Sequence, residues 1–195
     1  MKLLVALIAF GIGLTAVPAA MAEEAESGPG SPVVSPENLT TFSHRNPDRS
    51  LPAVVSELSV GQRSILEAQR REVRDLLARK LGILHLSGDT SDLNALQALY
   101  SRKVLKDNQV TEWQAVGVVF GDILAKEFSL KWVTYQDERG VSKALQWRDT
   151  RNFVFPLTMF SKRLQFGEAL DMKAIYLEVS QDIRDFIAYE TRING

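Results

Sequence analysis

The stretch TEWQAVGVVFGDILAKEF (Thr111–Phe128), with LKWVTYQDERGVSKALQW (Leu130–Trp147) and FVFPLTMFSKRLQF (Phe153–Phe166) after it, decides the fold. It holds all three tryptophans and the only proline beyond residue 52. Trp113, Val116, Gly117, Phe120, Ile123 or Leu124 and Phe128 recur at helical spacing and mark one apolar face. Thr111 and Gln114 have the spacing of a capping box, so the helix is expected to start at Thr111. Gly117 and Gly121 lie one turn apart, and each costs up to ~1 kcal/mol against alanine inside a helix. That cost points to a neighbour pressed close to the backbone along this ridge. The spacing also occurs in membrane helix dimers, but this helix is short and carries Glu112, Asp122, Lys126 and Glu127.

From Leu130 the period changes to two. Leu130, Trp132, Thr134 and Gln136 alternate with Lys131, Val133 and Tyr135, as in a strand with two distinct faces. Asp137-Glu138-Arg139-Gly140 reads as a hairpin loop, with glycine available for a positive φ. Val141 to Trp147 returns as a second strand, Arg148 to Asn152 turns again, and Phe153-Val154-Phe155 makes a third. Pro156 ends that strand and can open a helix through Met159, Phe160 and Leu164.

Upstream, Ser59 and Gln62 form another capping box, and Leu66, Val73, Leu77 and Leu81 continue as an apolar face up to Gly82, a C-cap glycine. Its other face mixes Arg63, Arg70, Arg71 and Arg74 with Glu67, Glu72 and Asp75. That pattern suits a solvated, ion-paired surface and not a nucleic-acid groove, which would also need aromatic stacking. A second helix is expected from Ser91 to Val104, and a last one, capped by Asp171, runs through Met172, Ile175, Tyr176, Val179 and Ile183. The fold class expected is therefore α+β: N-terminal helices, a central helix packed on a three-stranded antiparallel meander, and two C-terminal helices.

The N-terminus reads as a targeting segment. Lys2 precedes an apolar run from Leu3 to Ala16, and Pro18 precedes Ala20-Met21-Ala22, so residues 1–22 are expected to be a signal peptide cleaved after Ala22. Cleavage removes one of the 23 basic residues and none of the 24 acidic ones, taking the net charge from -1 to -2. No global field then draws the chain to nucleic acid, and no stable membrane insertion is expected after cleavage. The chain has no cysteine, which rules out a lipid anchor there and suits a periplasmic protein held by its core. Residues 23–56 hold five of the seven prolines and read as a Pro/Ser-rich flexible arm. Residues 57–191 then form a single α+β domain.

The segments EWQAVGVVFGDILAKEFSLKWV, Gly140 to Trp147 and FVFPLTMFSKRLQFGE resemble the bacterial family catalogued as domain of unknown function 3806. The resemblance covers about residues 110–190. It implies one domain core, and it implies no activity, cofactor or catalytic residue.

The remaining side chains offer little chemistry. His44 and His85 have no partner at ligand spacing, and there are no thiolates, so no metal site or cofactor is expected. The usual nucleotide, dinucleotide and serine-hydrolase strings are absent. Ser161-Lys162-Arg163 could hold an anion or pair with Glu168 and Asp171. Adjacent helical residues diverge by about 100°, which argues against a serine–lysine dyad and for exposed helix charges. Asp137, Glu138, Asp149 and Arg151 occupy the two strand turns.

The leading expectation is a non-enzymatic periplasmic interaction module that presents Trp132, Asp137, Trp147 and Arg151, with Ser161, Lys162 and Arg163 as a lesser candidate, to an envelope protein or small ligand. A cell-envelope hydrolase using carboxylates and a small-ligand pocket protein are the alternatives.

Overall fold

The computed structural model describes residues 53–194; the expected signal peptide and almost all of the Pro/Ser-rich arm lie outside them. Helix α3 (Val110–Phe128) is the centre of what is described. Its buried residues, among them Trp113, Val116, Val118, Phe120, Ile123 and Leu124, point in every direction. A helix that is apolar all round needs neighbours all round. It has them in α1 (Val60–Leu81), in the 3-10 turn Pro156–Thr158 with α4 (Met159–Gln165), and in the sheet.

The sheet is antiparallel with four strands in sequence order, β1 (Val54–Glu57), β2 (Leu130–Asp137), β3 (Gly140–Trp147) and β4 (Phe153–Val154). This corrects the expected three-stranded meander. The extra strand comes from the end of the proline-rich segment, where Val54 opposes Gln136 and Glu57 opposes Val133. Four residues are too few to declare a period of two, and their partner strand lies far downstream. Within the hairpin, Leu130 opposes Trp147 and Asp137 opposes Gly140, whose φ is 126°. Glycine supplies the backbone conformation that this tight connection requires.

The two faces of the sheet differ. Trp132, Leu145 and Trp147 join the main core under α3. Val133, Tyr135, Ala144 and Phe153, on the other face, form a small cluster with Ala53 and Phe155. Tyr135 meets Phe153 and Phe155 edge-on at centroid distances of 4.9 and 5.2 Å.

The glycine ridge explains how helix and sheet meet. A β-carbon on Gly121 would lie 2.6 Å from Cζ2 of Trp132 and 3.0 Å from Cγ of Pro156. One on Gly117 would run into the carbonyl oxygen of Pro156 and sit 2.9 Å from Cα of Leu157. Both approaches are closer than carbon atoms tolerate, so the ridge is a socket for Trp132 and the Pro156 turn. Beyond it Phe160 stands edge-on to Phe120 at 5.0 Å, and Tyr176 and Trp113 extend the same aromatic group.

Helix ends agree with the sequence in part. The Ser59–Gln62 capping box forms, with Ser59 Oγ accepting from Gln62 N at 3.2 Å and Gln62 Oε1 from Ser59 N at 2.8 Å. Gly82 closes α1 in the left-handed conformation at φ 69°. Asp171 Oδ1 accepts from the amides of Lys173 and Ala174 at the start of α5 (Met172–Asn194). The Thr111–Gln114 box does not form. α3 begins at Val110 and has no side-chain cap, while Gln109 accepts from Lys106 N and donates to Glu112. The second helix is shorter than expected. Residues Thr90–Asp92 make a 3-10 turn, and α2 runs only from Leu93 to Ser101 because Lys103 turns to a left-handed φ of 54°.

Candidate functional site

The sequence-predicted residues do not converge. Asp137 sits at the hairpin end of the sheet, where its Oδ1 accepts from the amide of Arg139 at 2.9 Å. That bond makes it a turn-forming residue. Arg151 and Asp149 are exposed in the β3–β4 turn, at the other end of the same two strands. Seven residue steps at about 3.3 Å separate the two ends, so these carboxylates share no cleft. Arg148 in that turn adopts φ 50° and lays its guanidinium 4.5 Å from the centre of the Trp147 ring.

The two sheet tryptophans are structural in their surroundings. Trp147 is only 7% exposed and lies under Arg148. Trp132 is partly buried, fills the Gly121 socket, and donates from Nε1 to Asp122 Oδ1 at 2.9 Å. Asp122 also receives Arg70 in a two-pronged pair, Nε to Oδ2 at 2.6 Å and Nη2 to Oδ1 at 2.8 Å. This Asp122 bond holds the Arg70 guanidinium even more firmly protonated than usual, against the opposing effect of burial. One carboxylate thus ties α1, α3 and β2 together. Sequence reasoning missed it, because Arg70 looked like one more charge on a mixed helix face.

Ser161-Lys162-Arg163 is also not the exposed charged step that the sequence suggested. Ser161 is buried and donates to the carbonyl of Thr158 at 3.3 Å. Arg163 is largely enclosed and reaches Glu168 at 3.1 Å and Glu178 at 3.2 Å, linking α4 to α5. The pairing with Glu168 was anticipated; the second partner is Glu178 and not Asp171. Lys162 is partly buried and also makes interactions of its own. His85 is exposed between α1 and α2, and His44 lies outside the described residues. Among the described residues, no three His, Cys, Asp or Glu side chains are grouped to hold a metal ion. Asp92, buried without having been singled out in the sequence, accepts from the amides of Ser87 and Gly88 at 2.9 and 2.6 Å and shapes that loop.

What remains open to solvent is the outer edge of the sheet. All four residues of β1 are exposed, and among the described residues no strand pairs with its outer side. Val54 is 61% exposed, and Val60, just past the strand on α1, is 77% exposed. Val141, across Gln136 from Val54 on the same face of the sheet, is exposed as well. Behind this edge the backbone is held firmly. Thr134 donates to Gln62 Oε1 at 2.8 Å, so the capping box of α1 is anchored to β2 beside β1.

Residues 92–176 match the family described as "Domain of unknown function (DUF3806)". Over those residues the chain is similar to that domain family. The matched stretch runs from the last residue of the 3-10 turn before α2 to the first turns of α5, so it includes the glycine ridge, β2 to β4 and the Pro156 turn, and leaves out β1 and α1. The fold is also similar to a crystal structure from Bacteroides thetaiotaomicron VPI-5482, with a TM-score of 0.60 and 17% identity. The match covers 67% of this chain and 48% of that one, so the chain spans about half the length of the protein it resembles. At that identity the likeness speaks for the fold alone. No curated protein matches the sequence. Among the described residues no helix is long and apolar enough to cross a membrane.

Proposed function

We propose that this chain is a non-enzymatic interaction module of the periplasm, and that it recognises its partner through the β1 edge of the sheet, not through a tryptophan face. The observation that carries this reading is a strand edge that no described strand covers, with solvent-exposed valines, beside a helix cap hydrogen-bonded to the sheet. An edge strand offers a row of backbone donors and acceptors to any extended segment, and exposed side chains beside it supply contact area. The envelope location rests on Lys2, the Leu3–Ala16 run and the Ala20-Met21-Ala22 site, with export followed by cleavage after Ala22.

Partner capture from envelope extract tests the module. Val55→Asp places a charge on the edge without touching the core, and we expect it to abolish capture. Trp147→Ala and Arg151→Ala separate the edge from the strand-turn surface, and Arg151→Ala should leave capture intact. If Val55→Asp captures as well as the wild type while Arg151→Ala does not, recognition runs through the β3–β4 turn and the edge assignment is wrong.

A further inference from the structure

We draw no further inference here: the strongest candidate, the face of the sheet turned away from α3, where Val133, Tyr135, Ala144 and Phe153 cluster beside Ala53 and Phe155, carries nothing because nothing in the structure shows what covers it.

Discussion

The joint under α3 and the outer edge of β1 use the same sheet in opposite ways. At the joint, Gly117 and Gly121 give up their side chains so that Trp132 and the Pro156 turn can sit against the helix backbone. At the edge, Val54, Val55 and Val60 keep apolar side chains in solvent. The first arrangement gives up helix propensity for packing, and the second leaves packing unrealised. A residue type that looks wrong for its place is thus explained by a neighbour in one region and, among the described residues, by the lack of one in the other.

Substitutions at the joint should be the most damaging. Phe120→Ala removes a fully buried ring that meets Phe160 and Tyr176 edge-on, and should cost about 3–5 kcal/mol of unfolding free energy. Gly121→Ala should cost about 1–3 kcal/mol. Much of that loss should disappear when Trp132→Leu removes the ring that the new methyl strikes. A double-mutant cycle by urea denaturation reads the coupling, and simple additivity would mean that Gly121 and Trp132 do not share the socket.

Next in size is the Asp122 node. Asp122→Ala strips Arg70 and Trp132 of their common acceptor and should cost about 1–2 kcal/mol, with the ion pair discounted because both its side chains are partly solvated. Ser59→Ala should cost about 1 kcal/mol at the α1 cap. At the edge the expected stability change is the smallest, since Val55→Asp should stay within about 0.5 kcal/mol of the wild type, as exposed substitutions generally do. A large loss there would mean that the edge belongs to the fold and not to an interface.

Tyr135 adds a test by pH. Burial, and after it the charge of Asp137, raises its phenol above the ordinary 10.0. The neutral phenol is therefore favoured in the folded state. Its contribution to stability is fully present below the ordinary tyrosine pKa and is lost as pH rises through the higher folded value. The difference in phenolate absorbance between the wild type and Tyr135→Phe should have its midpoint above pH 10.0, and a midpoint at or below it would show the ring to be solvated.

Much of this contrast was legible in the sequence, and the boundaries of that legibility are physical. The switch from helical to alternating period at Leu130, the Gly140 hairpin, the Ser59–Gln62 box and the cost of two helix glycines are local signals, and each is realised. The fourth strand was not legible, because four residues beside a proline-rich run declare no period and their pairing is long-range. Nor was Asp122, since nothing in one helix reveals that a neighbouring arginine will reach across to it. The Ser161-Lys162-Arg163 step looked exposed because helix charges usually are, and its enclosure depends on where Glu168 and Glu178 lie. The Thr111 box failed for a related reason: Gln109 found partners in Lys106 and Glu112, and the helix began one residue earlier.

The sign of one substitution tests the central claim most directly. Alanine is a better helix former than glycine by up to ~1 kcal/mol, so Gly117→Ala in an uncrowded helix should raise stability. Here the added methyl meets the backbone of Pro156 and Leu157, which cannot swing aside as a flexible side chain could. Urea denaturation of Gly117→Ala should show a net loss of about 1–3 kcal/mol. A gain in stability would contradict the account, because it would mean that the Pro156 turn does not press against the helix backbone at this ridge.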